Sequence, residues 1–433
     1  MLRTAAPGAT ASGGSASGSP FAARAGELER GLAAMACDAL LVLASSARDP
    51  DLAPFVGPVH VHSSFFIAPR RGEAAFGYLS PMERDEAAAS GLRLLTPEAL
   101  DVARWARQGE PEEVMLANVL ERALLLAGVA PGMRLALAGH AGAGLVQAVC
   151  ARLVDSGWSF VPGHHLLLAV RKGKTAGELA EVGRVARATG EAMRAVAGLL
   201  AAAAVVDGEL WLEGERLRAA RLRREVAAAL APHGLEQPEG NIVAAGAEGG
   251  VPHTSGNDER VLAAGEALVV DLYPKGALFA DCTRTFCVGG AGAAPPPAAL
   301  AAAHAAVREA LAAAHAAALP GARGWSMQEA ACERLAGHGW PTPISQPGTT
   351  RGYVHGLGHG VGFELHEYPS FRRHAGAEGV LGVGDVFTLE PGLYDPEAGF
   401  GVRLEDLVAL TAEGPVNLTP LPYALDPRAW QPA

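Results

Sequence analysis

The 433-residue chain carries a formal charge of -11 at neutral pH, 49% hydrophobic residues and five cysteines. That acidity excludes a nucleic-acid or membrane-surface binder, and the length allows two domains with at least one large core. Cys37, Cys150, Cys282, Cys287 and Cys332 are odd in number, scattered and without a CxxC pair, so they read as reduced thiols and not as a disulfide framework or zinc ribbon.

The first residues, MLRTAAPGATASGGSASGSP, are small and polar with no apolar run of signal-peptide length, and residues 1–22 are expected to form a disordered tail. No stretch is long and apolar enough to span a bilayer, so a cytoplasmic protein is expected. From about residue 25 helical and strand patterns alternate. GELERGLAAMACDA reads as a helix and LLVLAS as a buried strand. SSFFIAP and EAAFGYLS read as strands bracketing the turn RRGE. PEEVMLANVLERALLLAG is a helix with proline near its start and glycine at its end, and RLALAG is another strand. These elements make a self-contained α/β domain over residues 23–168. Thr175 then caps a long amphipathic helix, with Glu178 three residues on completing a capping box. ELWLEGERLRAARLRREVAAALAPHG reads as a second helix. Beyond it come short strands and many glycines, interrupted by helices in PPAALAAAHAAVREALAAAHAAALPG and SMQEAACERLAGHG. This second domain runs over residues 169–428.

The chemistry begins in EALVVDLYPKGALFADCTRTF, residues 266–286, where two strand-like runs flank a Pro-Lys-Gly turn. A loop at Lys275 to Ala277 would set Asp271 opposite Asp281, with Cβ atoms about 5 Å apart. Two buried carboxylates that close cannot both stay ionised without a cation. From this segment alone, two unrelated strand-end aspartates are an equal alternative. In FTLEPGLY, Glu390 follows the apolar run Val386 to Leu389; in FGVRLEDLVAL, Arg403 and Glu405 alternate with Leu404 and share one strand face. Taken alone, an Arg403–Glu405 pair explains an acid in so apolar a strand. HGLGHGVGFELHEYP, residues 355–369, holds His355, His359 and His366 in a glycine-rich frame without the HExxH spacing of zinc proteases. Counted together, two Asp, one His and two Glu are the oxygen-rich, single-imidazole set that suits a pair of divalent ions such as Mn²⁺, Co²⁺ or Zn²⁺. Such a pair generates a nucleophile from water and polarises a carbonyl.

The order Asp271, Asp281-x-Thr-Arg-Thr, His355-Gly-x-Gly-His359-Gly-x-Gly, Glu390-Pro-Gly and Arg403-x-Glu405-Asp resembles the creatinase/aminopeptidase P metallopeptidases of the M24, or pita-bread, type. Within them it is nearest to Xaa-Pro aminopeptidases and prolidases. The resemblance covers the chain apart from the tail, and it implies an α/β pita-bread catalytic domain behind a smaller creatinase-like N-terminal domain. It implies a metallopeptidase that cleaves the Xaa-Pro bond of peptides or dipeptides with two divalent ions, Mn²⁺ first among them, and that works as a homodimer. It makes Asp271, Asp281, His359, Glu390 and Glu405 the ligands, with Asp281 and Glu405 bridging. Glu390 would also accept a proton from the attacking water. His253 and His366 would stabilise the reacting amide, His355 would line the proline pocket, and Arg403 would steady the surroundings of Glu405. One departure stands out: the family's hairpins place the aspartates eleven positions apart with glycine two after the first, whereas here they are ten apart with Tyr273 in the glycine position. A metal-free creatinase-like C–N hydrolase and a non-catalytic protein-binding member of the same fold are the alternative readings.

Other conspicuous residues are expected to be structural. His60 and His62 form an HxH pair without clear acidic partners, and His304 and His315 read as ordinary surface or interhelix residues of the alanine-rich helix. Glu364 and Glu367 are expected to support the site without binding metal, and Cys282 and Cys287 to be buried small residues.

Overall fold

The structure, a computed structural model, describes residues 19–107, 109–289 and 295–430. These residues form two compact units that meet in sequence at Arg171 and Lys172. Of the tail expected over residues 1–22, the first eighteen lie outside the described residues. Pro20–Ala23 form a 3₁₀ turn, because Phe21 packs its ring against Phe55 and Phe66. The expected tail therefore runs too far.

The first unit is a six-stranded mixed sheet in the spatial order Arg93–Leu95, Ala75–Tyr78, His62–Pro69, Ala39–Ser46, Arg134–Ala138, Ser159–Pro162. Ala39–Ser46 is the central strand, and its near-continuous apolar run follows from burial on both faces. Leu40 and Val42 join Phe66, Phe76 and helix residues Leu28 and Leu32 on one side. Leu41 and Leu43 join Phe65, Ile67, Leu120 and Trp158 on the other. The period of two decides which core each residue enters.

In the second unit Thr175 caps Ala176–Ala202 with the expected capping box. Where a second helix was expected from residue 209, the chain instead folds into a small three-stranded sheet of Ala204–Val206, Glu209–Leu212 and Glu215–Arg216, and the helix spans Ala219–Leu230. The reason lies in two dipeptides, Asp207-Gly208 and Glu213-Gly214, all four residues of which adopt positive φ. Two-residue hairpin turns need that conformation, and they override helical spacing.

Three further sheets build the catalytic framework. Asn241–Ala245, Leu268–Leu272 and Cys282–Phe286 pair antiparallel, as do Val386–Leu389, Asp406–Thr411 and Gly414–Asn417, and Gly392–Asp395 pairs with Phe400–Arg403. Helices Ala298–Ala317 and Gly324–Gly337 cover these strands. Alanine is the strongest helix former, and here Ala303, Ala306, Ala310 and Ala314 recur at helical spacing into one core with Phe387, Leu393, Val402 and Val408. Among the described residues, no helix is long and apolar enough to cross a membrane.

Thr175→Ala removes the acceptor for the Glu178 backbone N–H and should cost about 1 kcal/mol. The expected readout is a lower unfolding temperature in calorimetry with unchanged far-UV circular dichroism.

Candidate active site

Four carboxylates arrive at the ends of two antiparallel strand pairs. Asp271 lies on Leu268–Leu272, and Asp281 immediately precedes Cys282–Phe286. Glu390 immediately follows Val386–Leu389, and Glu405 immediately precedes Asp406–Thr411. The last pair between those two strands is Leu389↔Asp406, so Glu390 and Glu405 stand one step beyond it on adjacent strand ends.

The register of the first pair differs from the expected one. Asp271 faces Thr283 and Leu272 faces Cys282, so Asp281 is a diagonal neighbour of Asp271 on the same face. The turn explains the shift: Gly276 N–H donates to the Leu278 carbonyl and Lys275 bridges Phe279, which centres the turn on Ala277, one residue later than expected. Moving a turn by one residue moves the register by two, and a shift of two preserves the face. Both aspartates still point into the site.

His359 is brought in by the loop between the helices and the Val386–Leu389 strand. Its backbone N–H donates to Thr388 Oγ1 at 3.2 Å, and its carbonyl accepts from the Thr388 N–H at 2.9 Å. His359 Nε2 then lies 3.4 Å from Glu390 Oε1 and 3.8 Å from Asp281 Oδ2. Asp281, His359 and Glu405 each offer a ligand atom, all within 4.8 Å of one another. The glycines around His359 permit close backbone packing. A Cβ on Gly358 would sit 2.1 Å from the Thr388 carbonyl oxygen, and one on Gly360 2.0 Å from that of Tyr368. Both glycines meet neighbouring backbone.

Charge is the decisive property of the cluster. Burial, with Glu405 next, pushes Asp281 well above the usual carboxylate range. Burial and Glu390 do the same to Glu405, and burial pushes Glu390 up to about 8. Burial, with His366 next, lowers His359 to about 4 and so favours the neutral imidazole that ligates metals. Asp271 Oδ1 and Asp281 Oδ1 are buried without a hydrogen-bond partner. Asp406, one residue from Glu405, behaves in the opposite way: burial alone would raise it, but Arg284 and hydrogen bonds from His315 and Tyr423 hold it below its ordinary value. The difference is a facing cation. Orphaned carboxylate oxygens around one neutral imidazole are a donor set that suits divalent metal, and the residues fit such an ion.

Arg403 is buried, and its guanidinium is spent on protein atoms. Nη2 donates to Asp271 Oδ2 at 2.6 Å, Nη1 to the Tyr394 hydroxyl at 2.9 Å, and Nε to Thr283 Oγ1 at 3.2 Å. Thr283 Oγ1 in turn donates to Glu405 Oε2 at 2.7 Å. Arg403 thus holds Asp271 directly and reaches Glu405 only through Thr283. Tyr394, which the sequence did not single out, passes its hydroxyl hydrogen on to His355 Nε2 at 2.9 Å, while His355 Nδ1 donates to the Gly356 carbonyl at 2.7 Å. Burial, with Arg403 next, lowers His355 to about 3 and keeps it neutral. His366 packs its ring edge-on to His359, with centroids 4.3 Å apart. His253 is exposed, and its charge is felt at both His355 and His366.

Residues 180–412, more than half of the chain, match Metallopeptidase family M24. The chain belongs to the M24 metallopeptidase family. It is 34% identical over 224 residues to the Xaa-Pro dipeptidase of Pyrococcus furiosus, covering 50% of this chain and 58% of that protein. It is 32% identical over 279 residues to Xaa-Pro aminopeptidase 2 of Streptomyces coelicolor, covering 59% of this chain and 56% of that protein. The chain therefore spans little more than half the length of these curated relatives. The crystal structure of the prolidase from Pyrococcus horikoshii OT3 matches with a TM-score of 0.71 at 21% identity, over 93% of this chain and 99% of that one. The fold is the α/β pita-bread fold of M24 enzymes.

Two other features of this M24 chain depart from expectation. Tyr273, in place of the family's glycine, is half-buried and lines a cavity of about 710 Å³ with Arg223, Glu239, Asn241 and Asp258. His304 and His315 are buried, not surface residues, and His315 Nε2 bonds Asp406 Oδ2 at 2.9 Å. Glu367 forms a fully buried pair with Lys174 at 2.7 Å and accepts from the Glu364 N–H at 3.3 Å, which holds the loop carrying His366. His62 pairs with Glu83 at 3.1 Å at the surface of the first unit, and Cys282 and Cys287 are buried.

Gly358→Ala should displace His359 and weaken Mn²⁺ binding by ~10-fold or more. Gly356→Ala, whose Cβ meets nothing within 4 Å, should bind as the wild type does. Isothermal titration of the chelator-treated protein measures both.

Proposed function

We propose that this M24 chain hydrolyses the bond between an N-terminal residue and proline, in dipeptides or longer peptides, with two divalent ions held by Asp271, Asp281, His359, Glu390 and Glu405. The observation that carries the reading is the crowding of Asp281, Glu390 and Glu405 around a neutral His359, while the Arg403 guanidinium is bonded to Asp271. Without metal the crowded carboxyls are driven toward their protonated forms, and divalent ions would let them ionise together. The names of the similar proteins, a dipeptidase and an aminopeptidase both acting at Xaa-Pro, supply the substrate class. When bound, two such ions supply Lewis acidity and a water-derived nucleophile at neutral pH, and Mn²⁺ suits the oxygen-rich set.

The chain's own groups do the rest. Glu390, one residue beyond the Val386–Leu389 strand, is the group that would accept a proton from the attacking water and return it to the leaving nitrogen. His366, whose ring lies edge-on to that of His359, and His253 would act as hydrogen-bond donors to the oxygen on which charge develops. Arg403 and Thr283 fix Asp271 and Glu405 so that none of these groups must reorganise during the reaction. His355, tied on both ring nitrogens, offers its ring to the proline. The working form is proposed to be a cytoplasmic homodimer.

Release of Xaa from Xaa-Pro and Xaa-Pro-Yaa with added Mn²⁺ tests the reading, and whichever substrate turns over assigns dipeptidase or aminopeptidase action. Activity should vanish with chelator and return with Mn²⁺, and His359→Ala should lose at least ~100-fold in kcat/KM. Turnover indifferent to both treatments would sink the mechanism.

A further inference from the structure

A second network begins one residue after Glu405. Asp406 is fully buried, and both of its oxygens are occupied. Oδ1 accepts from Arg284 Nη2 at 2.8 Å. Oδ2 accepts from His315 Nε2 at 2.9 Å and from the Tyr423 hydroxyl at 2.5 Å. Arg284 also turns back on the metal-site strand ends, donating through Nη1 to the Glu405 carbonyl and to the Thr283 carbonyl. Its other donors hold the carbonyls of Thr419, Leu421 and Pro422.

His315 is the unexpected member. It projects from the buried face of Ala298–Ala317 among Leu311 and Ala314, more than 90 positions before its partner in sequence. Its Nδ1 is buried with no hydrogen-bond partner. Helix packing alone does not explain it, because burying a half-satisfied imidazole costs more than burying an aliphatic side chain of similar size. The contact it makes is specific in place. Glu405 is fixed at its N–H by the Thr283 carbonyl, at its side chain by Thr283 Oγ1 and at its carbonyl by Arg284. Arg284 is oriented by Asp406, and Asp406 is held on its far oxygen by His315 and Tyr423.

We infer that His315 is a positioning residue for the Glu405 carboxylate, acting through Asp406 and Arg284 to fix the main chain from which Glu405 projects toward the metals. The inference rests on the proposed reading of Glu405 as a metal ligand. A tether that served only to pack the helix could end anywhere on the Asp406–Thr411 strand. This one ends on the residue whose guanidinium partner also clamps the Glu405 carbonyl.

Titration of the chelator-treated full chain with Mn²⁺ decides the matter. His315→Ala should weaken Mn²⁺ binding by roughly 10–100-fold with unchanged far-UV circular dichroism. His315→Gln, which keeps a donor nitrogen, should recover most of the affinity. Affinity within twofold of wild type in His315→Ala, even with a lowered melting temperature, reduces His315 to a packing residue and overturns the inference. If His315→Ala does not fold, Tyr423→Phe removes the other donor to the same oxygen from a less buried position, and an unchanged affinity there overturns it equally. A wild-type chain that takes up no Mn²⁺ removes the proposed function together with this inference, whereas equal binding by wild type and variants removes this inference alone.

Discussion

Mutual repulsion among three crowded carboxylates, Asp281, Glu390 and Glu405, is the constraint on which the second unit depends. Asp281, Glu390 and Glu405 stand close enough to one another that ionising them together is unfavourable, while Asp271 is bonded to Arg403. Nothing flexible could hold such a group. Each acid sits on, or one residue beyond, a paired strand. The Glu405 N–H to the Thr283 carbonyl stitches the two strand pairs together, the Arg403 N–H to Thr285 Oγ1 ties in the neighbouring strand, and the Glu390 N–H to the Leu357 carbonyl ties in the loop that carries His359. The energy stored in that crowding is released when counter-charge arrives, so metal binding and rigidity of the framework are two sides of one design.

The contrast with Asp406 shows how local this is. Two adjacent residues, both buried, differ in the direction of their shift because one faces a guanidinium and the other faces carboxylates. Burial alone accounts for the rise of Glu405 but not for the fall of Asp406. The same logic separates the pair of Lys174 and Glu367, which closes on itself, from the ligand cluster, which does not.

Much of the site was legible because its chemistry is local in sequence: an acid at the end of an apolar run needs a reason wherever it occurs. The capping box at Thr175 was equally plain, since its two partners are three residues apart. What could not be read depended on geometry beyond the segment. The Asp271 register hinged on whether the turn centred one residue earlier or later, a choice that Pro274, Lys275 and Gly276 leave open. Helical spacing around residue 209 concealed two hairpin turns, although Asp207-Gly208 is itself a hairpin-turn dipeptide. His315 was invisible because its partner lies on another element and its own helix is otherwise bland. The comparisons follow the same division. Sequence likeness to the curated dipeptidase is confined to half of the chain, while structural likeness to the prolidase extends over nearly all of it.

The Tyr394–His355 contact has a further meaning on the proposed function. With Nδ1 given to the Gly356 carbonyl and Nε2 taken by the Tyr394 hydroxyl, the imidazole has no lone pair left for a substrate. Proline is the residue whose amide nitrogen bears no hydrogen, so it asks for none. Any other residue in that position would bring an N–H for which His355 has no lone pair to offer. Preference for an imino acid can thus arise from an acceptor withheld, without any contact that proline alone could make.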